Sequence, residues 1–110
     1  MRSDTKLHYI LLPRYFFARI YQYTFHKHAC RHARHEGPVH RCSIHGSKEA
    51  GDALGKLLAH GRDRPWPEIL EEFTGSKDIE ADSIKEYFAP LTTWLKEYRG
   101  MEKYTLGWAA

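Results

Sequence analysis

The sequence predicts an all-α fold of about four helices in a chain of 110 residues, which is long enough for one domain at most. Three observations lead to this prediction. Apolar residues recur at helical spacing, proline and glycine separate these stretches into short segments, and no run alternates with period two for long enough to be a strand. With 42% hydrophobic and 14% aromatic residues, the chain can bury a core, although a small one.

The first helix is predicted to begin at Pro13, because proline is tolerated in the first turn, where its missing N–H is not needed. We expect it to continue until Gly37-Pro38. Its aromatic and aliphatic side chains are too dense for one stripe and predict a helix buried on most of its circumference. These residues are Phe16, Phe17, Ile20, Tyr21, Tyr23 and Phe25.

The second helix has clear boundaries. Ser47 can accept a hydrogen bond from the free N–H groups of the first turn, Glu49 complements the helix dipole there, and Gly61 is placed to end the helix. The apolar positions follow the i, i+3, i+4, i+7, i+8 pattern: Ala50, Ala53, Leu54, Leu57 and Leu58.

Two further helices are predicted towards the C-terminus. A short one begins at Pro67, buries Ile69, Leu70 and Phe73, and ends at Gly75. In the last helix Pro90 is expected to produce a kink rather than an end, since the apolar period continues in phase beyond it, and Gly100 ends the helix. Its apolar face comprises Ile84, Tyr87, Phe88, Leu91, Trp94, Leu95 and Tyr98.

Charge is unevenly distributed along the chain. Residues 1–48 carry nine Lys/Arg against two Asp/Glu, whereas residues 49–110 carry eight against twelve. This asymmetry is typical of a nucleic-acid surface, of two faces that neutralise each other, or of a segment of a larger protein. We favour the last two, and we expect no nucleic-acid partner because no nucleic-acid fold signature accompanies the basic aromatic run around Arg14, Arg19 and Lys27.

No transmembrane segment is expected, because no stretch approaches the ~20 apolar residues that span a bilayer. The first residues also lack the small-residue cleavage site of a signal peptide.

Histidine and cysteine are concentrated between His26 and His45, which contains six of the eight histidines and both cysteines. His28 and His32 share a helix face at metal-ligand spacing, and Cys42-x-x-His45 offers a second half-site. The spacings match no zinc-finger signature, however, and solvated histidines explain the composition more simply. From the residues alone, a disulfide between Cys30 and Cys42 and two free buried thiols are equally compatible with the sequence.

One long string resembles a known family. From Gly37 to Trp108 the chain contains, in this order, GPVHRC, SKEAG, PWPE, a Thr-Gly turn, YFAPL, WL and a closing LGW. This series resembles the C-terminal segment of the angiotensin-converting enzyme family of zinc peptidyl-dipeptidases, and the resemblance covers roughly residues 14–108. It implies that residues 13–110 are the C-terminal part of a larger, all-helical, two-lobed peptidase fold and that residues 1–12 are an unmatched or divergent extension. It also implies that Cys30 and Cys42 form a disulfide and that the protein is extracellular or at the cell surface.

The resemblance also implies roles for residues near the N-terminus. Arg14-Tyr15-Phe16 is similar to a family motif in which the tyrosine donates a hydrogen bond to the oxyanion of the tetrahedral intermediate and the arginine binds chloride. Lys6 and His8 resemble a Lys-x-His motif that binds the substrate carboxylate and donates to the peptide. Two positions depart from the family pattern, since Leu12 stands in place of a carboxylate-binding tyrosine and Arg19 in place of a pocket aromatic.

Zinc and chloride are the cofactors, and peptides the substrates, that the resemblance implies for the full-length family. The HExxH motif that supplies zinc ligands and general base is absent from this sequence. We therefore expect this chain to provide no zinc ligand and to be inactive alone. We also expect the aromatic side chains of the first helix to be exposed, and the isolated chain to aggregate or to be only partly ordered. The alternative is a free-standing helical binding module that uses the His/Cys cluster or the basic aromatic helix.

Overall fold

The computed structural model describes the backbone of residues 2–102, 105, 107 and 108, and the side chains of residues 12–102, 105, 107 and 108. Within these residues the chain is helical and contains no strand, which confirms the predicted all-α class. Five α-helices and one short 3-10 turn at Val39–Arg41 follow one another. The α-helices are α1 (Arg2–His32), α2 (Lys48–Ala59), α3 (Trp66–Thr74), α4 (Asp82–Tyr87) and α5 (Ala89–Glu102).

Helix α1 begins earlier than predicted. It starts at Arg2, and Pro13 lies inside it instead of in its first turn. Proline removes one hydrogen bond to the carbonyl four residues earlier, but the remaining bonds on both sides maintain the helix. With 31 residues, α1 is about 46 Å long, and it forms the longest element in the molecule.

The C-terminus of α1 was also predicted wrongly. The helix ends at His32, before Gly37-Pro38, in a hydrogen-bonding pattern known as a Schellman motif. The N–H of His35 donates to the carbonyl of Cys30 at 3.0 Å, and that of Arg34 donates to Arg31 at 3.0 Å. Arg34 adopts the left-handed conformation that this motif requires, with φ of 56°. Because glycine usually occupies this position, no local sequence signal marked the end of the helix.

Helices α2 and α3 match the predictions closely. The Ser47 hydroxyl accepts a hydrogen bond from the N–H of Ala50 at 3.2 Å, as expected of an N-cap. α3 begins at Trp66, one residue before Pro67, and Gly75 ends it with φ of 82° while its N–H donates to Glu71 at 2.7 Å. Strong capping signals therefore located both helices from sequence.

The predicted kinked helix is in fact two helices. α4 ends at Tyr87, Phe88 adopts a non-helical conformation with φ of −94° and ψ of 7°, and α5 begins at Ala89. Pro90 then lies in the first turn of α5, where its missing N–H does no harm. Gly100 does not end α5, which continues to Glu102.

The core is small and lies where α1, α2 and α3 meet. Its buried apolar side chains are Ala29, Cys30, Ala50, Ile69, Leu70 and Phe73. The ring of Phe73 is central, since its centroid lies 5.9 Å from that of Phe25 and 5.2 Å from that of His32, both on α1. Helix α4 packs on the other side of α1, through Tyr23 and Tyr87 (5.1 Å between ring centroids) and a Lys27–Glu86 ion pair of 2.6 Å.

Large apolar surfaces remain open. The radius of gyration is 18.6 Å, compared with about 13 Å for a compact domain of this length. The surface area is 9337 Å², compared with about 6,300 Å² for a compact protein of this mass. Tyr15, Phe16 and Phe17 are 66%, 64% and 43% exposed. The first half of α1 is thus not buried around its circumference, and the expected exposure of its aromatic side chains is confirmed.

Within the residues that the structure describes, no helix is both long enough and apolar enough to cross a membrane.

Candidate functional site

Helix α1 carries the four residues to which the family resemblance assigns roles in catalysis or binding: Lys6, His8, Arg14 and Tyr15. Arg14 and Tyr15 lie beside each other in its first half and are exposed. Among the described side chains, none donates to or accepts from the Tyr15 hydroxyl or the Arg14 guanidinium. Lys6 and His8 belong to the same helix, but their side chains lie outside the described residues. Tyr15 is 66% exposed, and its hydroxyl is available to donate as far as the described residues are concerned.

An apolar groove runs beside this region, between α1, α2 and α3. Its volume is about 710 Å³, and Phe17, Tyr21 and Phe25 of α1 form one wall while Leu58 and Trp66 form the other. Tyr21 stacks on Phe25 with 5.7 Å between ring centroids and meets Trp66 edge to face at 6.4 Å. Burial raises the pKa of the Tyr21 phenol, so this hydroxyl stays protonated.

The second half of α1 contributes to the His/Cys region, where Cys30 and Cys42 form a disulfide with Cα atoms 6.2 Å apart. His26, one turn before Cys30, lies directly beside it. The His26 Nε2 is 3.7 Å from the Cys30 Sγ and 3.0 Å from the carbonyl oxygen of Val39, to which it can donate. The disulfide joins α1 to the segment after the 3-10 turn, and His26 reinforces the same connection.

The two pairs of possible ligands in the sequence, His28 with His32 and Cys42 with His45, do not form a metal site among the described residues, and His28 and His32 are half-buried instead of solvated. His32 directs Nε2 at the carbonyl of Phe73 (3.3 Å), and His28 lies against the Phe73 ring. Burial, together with the cations of Arg31 and Lys27, lowers the pKa of His28 to about 4, so it is neutral at pH 7. His45 is exposed and does not join Cys42 in a cluster among the described residues. His28 and His32 are packing residues of the α1–α3 interface.

A second polar cluster, which the sequence analysis missed, connects the end of α2 to α3. Both ring nitrogens of His60 face carboxylates: Nδ1 is 3.1 Å from Asp63 and Nε2 is 2.8 Å from Glu72. Arg64 approaches Glu72 at 3.8 Å. The hydrogen bond to Asp63, followed by that to Glu72, raises the pKa of His60 above its ordinary value. The twelve-residue separation of His60 and Glu72 crosses a loop, so no local pattern indicates their contact.

We predict that this cluster makes stability depend on pH. A raised pKa means that the folded state holds the proton more tightly, so the contribution of His60 is complete below about pH 6.5 and is lost as pH rises through the folded pKa. In His60→Gln, the loss of stability relative to the parent is expected to be larger at pH 6 than at pH 8.5. Urea midpoints followed by circular dichroism measure this difference. His45→Gln, at an exposed histidine, is the control and should show no such change; an equal deficit at both pH values in His60→Gln would contradict the prediction.

Comparison with known proteins defines the family. The family model described as angiotensin-converting enzyme matches residues 5–108, nearly the whole chain. The chain belongs to the angiotensin-converting enzyme family. Among similar proteins, an angiotensin-converting enzyme of Mesocricetus auratus is 42% identical over 95 residues, covering 86% of this chain and 7% of that protein. An angiotensin-converting enzyme-related protein of Drosophila melanogaster is 43% identical over 101 residues, covering 86% of this chain and 16% of that protein. An angiotensin-converting enzyme of Theromyzon tessulatum is 46% identical over 81 residues, covering 74% of this chain and 13% of that protein.

This family member therefore spans only between 7% and 16% of the length of these three relatives. The match confirms the resemblance seen in the motifs between Gly37 and Trp108. It begins at residue 5, whereas the division of the chain at residue 12 into an extension and a peptidase segment stays a prediction.

Proposed function

We propose that this chain is the C-terminal helical segment of a zinc peptidyl-dipeptidase, and that it supplies the substrate-facing first half of α1. The observation that carries the proposal is the family match over residues 5–108, a range that includes Arg14-Tyr15. In the structure both residues are exposed on α1, which is compatible with a role at a substrate-facing surface. The substrates are peptides with a free C-terminus, from which the complete peptidase releases dipeptides.

Tyr15 is the residue that we assign to catalysis. Its phenol donates a hydrogen bond to the oxyanion that forms when the peptide carbonyl is attacked, and a donor aimed at developing charge lowers the barrier more than it strengthens substrate binding. Exposure of the hydroxyl, without a described side-chain partner, leaves it available for this role. Arg14 binds the activating chloride through its permanently charged guanidinium. Lys6 binds the substrate carboxylate and His8 donates to the peptide.

Zinc is the metal of the full-length peptidase, but the described residues do not fit its centre. Among the described residues, one group of possible ligands converges closely enough to hold an ion: His26, Cys30 and Cys42. Both cysteines of this group are joined in the disulfide. We therefore assign no step of the hydrolysis to a metal held by these residues. The isolated chain is expected to release no dipeptide. The disulfide supports an extracellular or cell-surface setting, since such bonds persist in oxidising compartments.

The role of Tyr15 is best tested in a chimera. In it, this chain replaces its matching segment in the Mesocricetus auratus enzyme, and dipeptide release is measured. Tyr15→Phe removes only the hydroxyl, and we expect kcat to fall by about 10²- to 10³-fold with little change in KM, because the donor acts on the transition state.

The matched control is Tyr21→Phe, which removes a hydroxyl from the same helix at a ring packed in the apolar groove. Its kcat should stay within about twofold of the parent chimera. Retention of full activity by Tyr15→Phe would exclude the catalytic assignment, and substantial turnover by the isolated 110-residue chain would overturn the segment hypothesis itself.

A further inference from the structure

His26, Cys30 and Cys42 form a cluster in which one ligand atom from each residue lies within 4.8 Å of the others. Two structural elements hold it in place. His26 and Cys30 are one turn apart on α1, so they share a face, while Cys42 follows the 3-10 turn and donates its N–H to Val39 at 3.1 Å. Besides the sulfur–sulfur bond, the hydrogen bond between His26 and the Val39 carbonyl connects this turn to α1.

The spacing of this cluster matches a tetrahedral metal site. With Zn–S near 2.3 Å and Zn–N near 2.0 to 2.1 Å, tetrahedral geometry places an imidazole nitrogen about 3.6 Å from a thiolate sulfur and two thiolate sulfurs about 3.8 Å apart. The His26 Nε2 already lies 3.7 Å from the Cys30 Sγ. The two cysteine Cα atoms, 6.2 Å apart, leave enough room for the sulfurs to separate to that distance with small side-chain rotations.

We propose that reduction of the Cys30–Cys42 disulfide converts this cluster into a Zn²⁺ site with two thiolate ligands and the imidazole of His26. The disulfide prevents metal binding while it is intact, because neither sulfur is then a thiolate. Soft thiolates together with imidazole select zinc over magnesium or calcium. The site is the reduced-state counterpart of a structural disulfide, and it does not depend on the proposed peptidase role.

The chemistry balances with a dithiol as reductant. The dithiol is oxidised to its own disulfide and transfers two electrons and two protons, so that the sulfur–sulfur bond of the chain becomes two thiols. Zinc binding then releases these two protons as both thiols become thiolates. The resulting centre has no net charge, because two thiolates balance the divalent ion, so its burial beside Cys30 carries little electrostatic penalty.

His26 must also change its hydrogen bond. Its Nε2 faces both Val39 and Cys30 in the disulfide form, and donation to the Val39 carbonyl requires the proton on Nε2. Metal ligation requires the other tautomer, with the proton on Nδ1 and the Nε2 lone pair directed at zinc. Within the described residues no further His, Cys, Asp or Glu joins the group, so the fourth position is left to solvent.

The test is a metal titration of the complete 110-residue chain. The protein is reduced with a dithiol, freed of reductant without oxygen, and titrated with Co²⁺ and then Zn²⁺ against a chromogenic chelator. We expect one metal per chain, thiolate-to-cobalt charge-transfer absorption with tetrahedral d–d bands, and displacement of Co²⁺ by Zn²⁺. The oxidised chain should show none of these signals.

His26→Gln retains a donor for the Val39 carbonyl but removes the imidazole ligand. We expect zinc affinity to fall by at least about 100-fold, because loss of an outer-shell partner alone lowers metal affinity by about 10- to 100-fold. His45→Gln is the matched control, because His45 is the histidine that sequence spacing pairs with Cys42, and its affinity should stay within about twofold. Equal binding by His26→Gln, equal loss in His45→Gln, or binding by the oxidised chain would overturn the proposal. Far-UV circular dichroism is recorded throughout, and a reduced chain that neither binds zinc nor regains helicity with it would overturn the proposal as well.

Discussion

Replacing Phe73 with alanine is expected to lower the free energy of unfolding by about 3 to 5 kcal/mol. Phe73 is 7% exposed, and its ring contacts Phe25, His28 and His32 of α1. Truncation removes the apolar contact that attaches α3 to α1 and leaves a cavity in a core with few other buried side chains. Because a domain of this size is stable by only about 5 to 15 kcal/mol, the loss is a large fraction of the total.

The matched control is Phe16→Ala, which removes the same atoms from a residue that is 64% exposed. We expect it to change stability by less than about 0.5 kcal/mol and to improve solubility, because it removes exposed apolar surface. Urea denaturation monitored by far-UV circular dichroism compares both variants with the parent. Similar destabilisation by the two substitutions would show that the core does not lie where α1 and α3 meet.

The contrast between these two phenylalanines also explains what the sequence could predict. Phe73 lies in a short helix with a proline start, a glycine end and an apolar face, so its helix and its burial were both predictable. Phe16 lies in an aromatic stretch of α1 that resembles a buried helix, yet it is 64% exposed and no residue that the structure describes covers it. A hydrophobic pattern indicates which face of a helix is apolar. It does not indicate whether the residues that cover this face belong to the same chain.

Helix boundaries follow the same logic. The hydroxyl of Ser47 suits the N-cap of α2, and the backbone freedom of Gly75 suits the end of α3. The structure confirms both predicted boundaries. Arg34 ends α1 in a left-handed conformation without a glycine, and that end was missed. The division between α4 and α5 was missed because the apolar period continues in phase across Phe88, although Pro90 requires the hydrogen-bond ladder to be interrupted.

The candidate site was predictable to different degrees. The family resemblance supplied the pairing of Cys30 with Cys42, which residue spacing alone had left undecided between a disulfide and free thiols. It could not supply the position of His26, although the i, i+4 spacing to Cys30 was visible in the sequence. The His60–Glu72 contact had no sequence signal, because it depends on how the loop between α2 and α3 folds.

Removal of the disulfide is the second large effect that we predict. In the double variant Cys30→Ala, Cys42→Ala, the free energy of unfolding should fall by about 3 kcal/mol. The disulfide joins residues that are 12 positions apart in the sequence, and it therefore restricts the conformations of the unfolded chain. The structural consequence should centre on the segment from Val39 to Cys42, which the disulfide and the His26–Val39 hydrogen bond attach to α1. Urea denaturation of oxidised protein, together with hydrogen exchange of this segment, measures both.

Reduction of the parent chain provides the internal comparison, since it breaks the same bond without changing a residue. A dithiol should destabilise the parent by about the same amount and leave the double variant unchanged. Addition of Zn²⁺ to the reduced parent should then restore stability, and the gain should rise with the logarithm of the free metal concentration once this exceeds Kd, because the ion binds only the folded state. The double variant, which lacks both thiolates, should not respond to zinc. If reduction left the parent as stable as before, the disulfide would not be what holds the Val39–Arg41 turn against α1.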